Sequence, residues 1–184
     1  AEAVDPQWFA DAAFVGDSVS VMLENYNTST GRLGSPAFFC SVSLSQTNAL
    51  SYQAGNARLP EYPKGSGQHP LVADGIASAG AKKVYLMLGM NCIAGGVDRA
   101  SQDLVTLVDQ ILAKSPEAAI FIQSVTPMTA DSPRADDALN NGTIQAFNER
   151  MRQICQEKQW YFVNVAEAVS DENGFLRSEF SGDR

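Results

Sequence analysis

The sequence predicts an α/β protein in three layers (α/β/α), in which helices cover both faces of a doubly wound, five-stranded parallel sheet. Two observations lead to this fold class. Short apolar runs alternate with segments of helical periodicity, in the order β-α-β-α-β-α-β-α-β. The runs are almost continuously apolar rather than alternating with polar residues, which is typical of strands that are buried on both faces.

The predicted strands are short apolar runs bounded by glycine, proline or polar residues. The first leads into a turn at Gly16, and the fourth is stopped by Pro127. The third is the most strand-like of the set. In chain order, the predicted strands are residues 12–15, 37–42, 83–89, 119–125 and 160–165.

Helices are predicted between these strands. Apolar residues from Val19 to Tyr26 recur at the i, i+3, i+4 and i+7 positions that form one face of a helix. The other predicted helices lie over residues 71–80, 104–112 and 144–154. Residues 55–70 are rich in glycine and proline, and we predict a long surface loop there that shapes a ligand pocket.

Composition argues against several classes of protein. The 184 residues are 45% apolar and 18% charged, which suits one domain over residues 1–184 with a core of its own. The 13 basic and 21 acidic residues give a net charge of −8, which argues against binding to the phosphates of nucleic acid. No apolar stretch approaches the roughly 18 residues that a membrane-spanning helix needs.

The three cysteines, Cys40, Cys92 and Cys155, are widely spaced and include no C-x-x-C pair. This pattern argues against a zinc site or a thioredoxin-like motif. It predicts small buried side chains with at most one incidental disulfide. We therefore expect neither a metal nor a cofactor.

Polar residues follow the predicted strands at the edge where parallel sheets bind ligands. Ser18 comes three residues after the first predicted strand, and Asn91 comes two residues after the third. Ser18 has two interpretations: a nucleophile at the positive end of a helix, or simply the N-cap of that helix. Asn91 either binds an oxyanion through its amide or closes a turn.

Four segments together resemble the SGNH hydrolases, the family that includes the GDSL-type lipases and esterases. FVGDSVS at residues 14–20 is similar to the first sequence block of that family, and LGMNC at residues 88–92 is similar to its Gly-x-Asn-Asp block. QSVTP at residues 123–127 and FNERM at residues 147–151 extend the resemblance, which covers the chain from about residue 8. The resemblance implies a flavodoxin-like arrangement of the predicted sheet.

The resemblance also implies an activity. Ser18 would be the nucleophile of an esterase that acts on small acyl esters, such as O-acetyl groups on carbohydrate, and no metal would be needed. The Ser18 N–H and the Asn91 amide would stabilise the oxyanion. The third donor would be the backbone N–H of Ser43, which stands where the family has a glycine.

Other residues of these segments would support the site rather than react. By the same resemblance, Asp17 would fix the turn before the helix through hydrogen bonds, and Gly16 and Gly89 would give structural support to the site. Cys92 replaces the aspartate that usually follows the asparagine. No basic residue nearby in the sequence would lower the pKa of that thiol, so we do not expect it to be a nucleophile.

This sequence does not match the family at the residue that serves as general base. The family carries an aspartate and, three residues later, a histidine after the fifth strand. The chain has one histidine, His69, which we expect to be a surface residue of the 55–70 loop. The last residues look like the approach to the missing block, with Asp183 as a candidate aspartate. We therefore expect a truncated domain whose gene continues into Asp-x-x-His after Arg184.

Two alternatives remain open at this stage. A non-catalytic or truncated member of the family would keep the scaffold and bind a carbohydrate or an ester. A flavodoxin-like or receiver-like domain would need a flavin-phosphate loop or an acidic cluster after the first strand, and residues 16–18 contain one acid only.

Partners and location follow from the same observations. The expected partner is a small-molecule or carbohydrate ester, and the sequence carries no signal for an oligomeric state. The first five residues, AEAVD, are not a signal peptide. An exported protein would have lost such a segment, and we favour an extracellular or cell-envelope location in a bacterium over the cytoplasm.

Overall fold

The computed structural model describes residues 4–51, 59–136 and 138–182. Its centre is a five-stranded parallel sheet of order β2-β1-β3-β4-β5, which confirms the predicted fold class. The strands are β1 (Ala12–Gly16), β2 (Ala37–Cys40), β3 (Lys83–Met87), β4 (Ala119–Gln123) and β5 (Tyr161–Val163).

The helices connect these strands. In chain order they are α1 (Ser18–Thr30), α2 (Gln46–Ala49), α3 (Val72–Ala79), α4 (Val97–Lys114), α5 (Asn141–Lys158) and α6 (Val165–Val169). Single 3-10 turns lie at Pro6–Phe9, Ile93–Gly95 and Ser178–Phe180. The predicted helices are all present, but α4 begins seven residues earlier than its apolar stripe indicates. No helix within the described ranges is long and apolar enough to cross a membrane.

Strands β2, β3, β4 and β5 each end two residues earlier than predicted, and local hydrogen bonds show the reason at β2 and β5. After Cys40 the chain turns, and the Leu44 N–H donates to the Ser41 carbonyl over 3.0 Å. After Val163 the side chain of Asn164 caps α6, whose first residue is Val165. In both places the apolar run continues past the point where the backbone leaves the sheet.

The two faces of the sheet are covered differently. Ala13 and Val15 point into the main core, together with the buried sides of α3, α4 and α5. The other face carries a row of stacked aromatic rings, one from each strand, with α1 packed over the β1 and β2 end. The row is Phe38, Phe14, Tyr85, Phe121 and Tyr161, with neighbouring centroids 4.5 to 5.4 Å apart.

Candidate active site

The candidate residues emerge from three neighbouring strands at one edge of the sheet. β1 lies between β2 and β3, and Gly16 at its end is in register with Cys40 and with Met87. The chain leaves β1 toward β2 and returns on the other side as β3. Open α/β sheets bind ligands at such a reversal of strand order, beyond the carboxyl ends of the strands.

Ser18 is the first residue of α1, and its side chain is exposed. Asp17 is the N-cap, because its Oδ1 accepts a hydrogen bond from the Val19 N–H over 3.0 Å. The interpretation of Ser18 as the cap is therefore wrong. Within the described ranges the Ser18 hydroxyl has no hydrogen-bond partner, so it is available to a ligand at the positive end of the helix dipole.

Asp17 and Gly16 shape the turn that presents Ser18. Burial raises the pKa of the Asp17 carboxyl, and the hydrogen bond from Val19 opposes that shift. A Cβ on Gly16 would lie 2.6 Å from Ser20 Cβ and 2.9 Å from the Met87 carbonyl oxygen. The first turn of α1 therefore packs against β1 and β3 at a distance that only glycine permits.

Ser43 lies in the turn after β2 with a backbone φ of 65°. This left-handed conformation favours glycine and is uncommon for serine. The residue is exposed, and its N–H donates to no acceptor in the part of the chain that the structure describes. The backbone at Ser43 thus has the conformation expected of a glycine, with a free N–H donor.

Asn91 joins the loop after β3 to the loop after β2. Its Nδ2 donates to the Leu44 carbonyl over 3.0 Å, next to Ser43, and its second amide hydrogen remains. Gly89, two residues earlier, packs closely against the segment after β4 and against α5, because a Cβ there would lie 2.7 Å from Val125 Cγ2 and 2.9 Å from Phe147 Cε1. Sequence reasoning did not predict the Asn91–Leu44 bond.

The three cysteines are free and unsuited to nucleophilic chemistry. Burial raises the pKa of Cys92 to about 12 and that of Cys155 to about 11. Burial also raises the pKa of Cys40, and the nearby Glu24 carboxylate adds to the effect. The Cys92 thiol donates to the Gly89 carbonyl over 3.4 Å, so it supports the turn before Asn91. The incidental disulfide allowed by the sequence is not formed.

Two asparagines of α5 hold the loop after β4. The Asn148 side chain accepts from the Val125 N–H and donates to the Val125 carbonyl, both over 2.8 Å. Asn141 forms the same pair of bonds with Met128, at 2.7 and 3.0 Å. The segments QSVTP and FNERM, which sequence reasoning related only by resemblance, are thus in direct contact.

His69 does not take part in this arrangement. Its ring is exposed, and its Nδ1 is 2.8 Å from the Leu59 carbonyl oxygen. Earlier in the same loop, Tyr62 and Lys64 line a cavity of about 370 Å³ together with Asp11, the residue before β1. That cavity lies at the amino-terminal ends of β1 and β2, so these loop residues do not shape a pocket at Ser18 as predicted. Residues 55–58 of the loop lie outside the described ranges.

The C-terminal segment returns from the β5 side of the sheet to α1. The Leu176 N–H donates to the Met128 carbonyl over 3.0 Å. A Cβ on Gly182 would lie 3.8 Å from Met22 Sδ, and Met22 follows Ser18 by about one helical turn. The candidate aspartate Asp183 lies outside the described residues.

A second cavity lies apart from Ser18, and the acidic residues do not form a metal site within the described ranges. The cavity has a volume of about 680 Å³ and lies between α5 and residues 162–175, with none of Ser18, Ser43 and Asn91 in its lining. Among the residues that the structure describes, no three His, Cys, Asp or Glu side chains are grouped so that they could hold a metal ion.

Comparison with known proteins gives one family and several similar structures. Residues 14–184 match the model of the GDSL-like lipase/acylhydrolase family. A GDSL-like lipase from Bacteroides thetaiotaomicron is 16% identical and superposes with a TM-score of 0.71, covering 100% of this chain and 82% of that one. A carbohydrate esterase of family 3 from Talaromyces cellulolyticus is 13% identical, with a TM-score of 0.54 and coverage of 91% and 88%. No curated protein matches the sequence significantly.

Proposed function

The chain belongs to the GDSL-like lipase/acylhydrolase family, and from that premise we propose that it is a serine esterase of small acyl esters with Ser18 as its nucleophile. In the first step the Ser18 oxygen forms a bond to the ester carbonyl carbon, and the hydroxyl proton passes to a general base. The alcohol then leaves with that proton. Water hydrolyses the acyl-enzyme and regenerates Ser18.

The position of Ser18 supports this role. The hydroxyl is exposed at the start of α1 and is not used by the helix cap, which Asp17 provides. Negative charge that develops beside Ser18 meets the positive end of the helix dipole and the free N–H groups of the first turn. The same groups would stabilise the tetrahedral intermediate.

The observation that carries the proposal is the bond between Asn91 and Leu44. It joins the Asn91 amide to the residue after Ser43, which supports a role for both as donors from neighbouring loops at the edge of the sheet where Ser18 lies. Together with the Ser18 N–H they form the proposed oxyanion hole. Each such donor is worth about 3 kcal/mol of transition-state stabilisation.

The general base is proposed to be a histidine of an Asp-x-x-His motif encoded after Arg184. The one histidine of the sequence, His69, lies in the loop whose Tyr62 ring packs against Phe39 of β2. The position of Gly182 supports the proposal, because a Cβ there would lie 3.8 Å from Met22 Sδ, and Met22 follows Ser18 by about one helical turn. Asp183 is the proposed aspartate partner only if a histidine follows it by three residues.

O-acetyl groups on carbohydrate are the proposed substrate class. The site is open and polar, with exposed side chains at Ser18, Ser43 and Asn91, which suits an acyl group carried on a hydrophilic alcohol. The structural likeness to a carbohydrate esterase points the same way. A non-catalytic member of the family that binds carbohydrate is the alternative.

Hydrolysis of p-nitrophenyl acetate and of acetylated xylo-oligosaccharides tests the proposal. Two forms are compared, residues 1–184 and the protein extended through any Asp-x-x-His motif encoded after Arg184, each beside its Ser18→Ala variant. We expect the extended form to exceed its Ser18→Ala variant by at least about 10⁴-fold. If both forms hydrolyse no faster than Ser18→Ala while the oligosaccharide still binds, the binding-module alternative replaces the esterase.

A further inference from the structure

One asparagine side chain of α2 holds the backbone on both sides of Leu44. Asn48 Nδ2 donates to the Ser43 carbonyl over 2.9 Å. Asn48 Oδ1 accepts from the Ser45 N–H over 3.0 Å, as part of a capping box in which Ser45 Oγ accepts from the Asn48 N–H. The Leu44 side chain is itself fully buried. The segment from Ser43 to Ser45 is therefore held by the two hydrogen bonds of the Asn48 side chain and by the burial of Leu44.

Ser43 needs such a restraint. With a φ of 65° it occupies the left-handed region, which is unfavourable for every residue that has a Cβ and persists only where the surroundings hold it. If the Ser43 carbonyl were released, the residue would relax toward the ordinary regions of φ and ψ. That rotation would turn its N–H away from the position that it has in the structure.

The helix that carries Asn48 is fastened to α4. Gln46 Nε2 donates to the Ala100 carbonyl over 3.0 Å, and Thr47 Oγ1 donates to Asp103 Oδ2 over 2.5 Å. A helix of four residues has no stability of its own, so these bonds and the burial of Ala49 in the core keep α2 in place. The turn at Ser43 is therefore connected through Asn48 and the other residues of α2 to helix α4.

We propose, resting on the proposed function, that Asn48 is a positioning residue of the oxyanion hole. It does not touch the substrate. It holds Ser43 in the left-handed conformation that aims the Ser43 N–H at the oxyanion, and it steadies the Leu44 carbonyl that orients Asn91. Two of the three proposed oxyanion donors therefore depend on one amide side chain.

Asn48→Ala tests this in the full-length protein, with Asn140→Ala as the matched control. Asn140 holds the start of α5 in a comparable way, as the N-cap residue rather than the third residue of the helix: its Oδ1 accepts from the Thr143 N–H and its Nδ2 donates to the Asp136 carbonyl. Both changes remove a capping side chain without adding charge. We expect Asn48→Ala to lower kcat for p-nitrophenyl acetate at least tenfold with KM changed less than about twofold, since loss of one complete oxyanion donor costs about 10²- to 10³-fold. Asn140→Ala should stay within about twofold in both constants.

A rescue variant distinguishes positioning from a general loss of structure. Glycine adopts a φ of 65° without strain, so Ser43→Gly combined with Asn48→Ala should recover at least about threefold of the lost kcat. If Asn48→Ala does not fold, Asn48→Asp, which keeps the acceptor for the Ser45 N–H, replaces it in both comparisons.

The outcomes separate this inference from the function on which it rests. A parent enzyme no faster than its Ser18→Ala variant overturns the proposed function and, with it, the role of Asn48. An active parent whose Asn48→Ala variant matches Asn140→Ala, or whose loss Ser43→Gly does not restore, overturns only the role of Asn48.

Discussion

Asp17 caps α1 from a buried position, where its ionised carboxylate is less favourable than it would be in water. Burial raises its pKa above the ordinary value of 3.8, so the folded protein holds this proton to a higher pH than the unfolded chain does. The stability contributed by the group is complete below the ordinary pKa and is lost as the pH rises through the folded pKa. At neutral pH the charged carboxylate is less favourable to the fold than a neutral cap would be.

Asp17→Asn should therefore stabilise the protein at pH 7 more than at pH 3.5. Asparagine caps a helix as well as aspartate and does not titrate. Urea unfolding of both proteins at the two pH values gives the comparison. A variant whose relative stability falls between pH 3.5 and pH 7 would contradict the assignment of the raised pKa to burial.

The Cys92 thiol should react slowly despite its place beside Asn91. A pKa of about 12 leaves about one thiolate in 10⁴ thiols at pH 8, and the thiolate is the reactive form. Alkylation by iodoacetamide, followed by peptide mass analysis, should proceed at least about 100-fold more slowly at Cys92 than at free cysteine. A rate equal to that of free cysteine would show that an unidentified positive group lies near the sulfur.

Sequence reasoning selected the candidate residues but not the contacts that orient them. Ser18 and Asn91 are recognisable because polar residues follow buried apolar strands. Ser43 was proposed by resemblance alone, since the sequence of its turn contains no glycine. Its φ of 65° and the bond between Asn91 and Leu44 depend on loops that are distant in the chain, and no local pattern encodes them.

Close packing between elements, rather than turn flexibility, explains two glycines beside the site. Gly16→Ala would place a Cβ 2.9 Å from the Met87 carbonyl oxygen, and Gly89→Ala would place one 2.7 Å from Val125 Cγ2. A Cβ on Gly95, in the 3-10 turn after Asn91, would meet no atom within 4 Å.

Each of Gly16→Ala and Gly89→Ala should lower the free energy of unfolding by about 1–3 kcal/mol, because inserted carbon atoms strain a close-packed core. Gly95→Ala should change it by no more than about 0.5 kcal/mol. Urea denaturation of the three variants provides the measurement. Equal losses at Gly16 and Gly95 would contradict the packing described at the end of β1.

All five strands and the four longest helices were predictable, and the two shortest helices were not. Strands β1, β3 and β4 begin where the apolar runs begin, and α5 extends a recognisable stripe at both ends. The helices α2 and α6, of four and five residues, are shorter than two helical turns and show no periodicity. The early start of α4 at Val97 was missed because its first turn has few apolar residues.

At the scale of the whole molecule, the row of aromatic rings is buried at its centre and exposed to solvent at its β5 end. Tyr85 is 8% exposed and accepts a hydrogen bond from the Trp8 indole N–H over 3.0 Å, whereas Tyr161 is 59% exposed. The fold class was predictable because five strands of nearly continuous apolar sequence require cover on both faces. The difference in cover between the two faces of the sheet was not predictable, because it depends on which helices pack on each face.

Tyr85→Ala should therefore destabilise the protein by about 3–5 kcal/mol, as removal of a buried aromatic ring does. Tyr161→Ala removes a ring that is mostly in water, and we expect a loss below about 1 kcal/mol. Thermal and urea unfolding of the two variants would measure the difference. A larger loss at Tyr161 would mean that the exposed end of the row is covered in solution.

The proposed esterase activity depends on Ser18 being a nucleophile that three donors assist. Its most direct test is the mass of the full-length protein, and of its peptides, after incubation with an alkyl fluorophosphonate. We predict a single adduct on the peptide that contains Ser18, no adduct in Ser18→Ala, and labelling at least tenfold slower in Asn91→Ala. An adduct on another residue, or none on a folded protein, would contradict the assignment of Ser18.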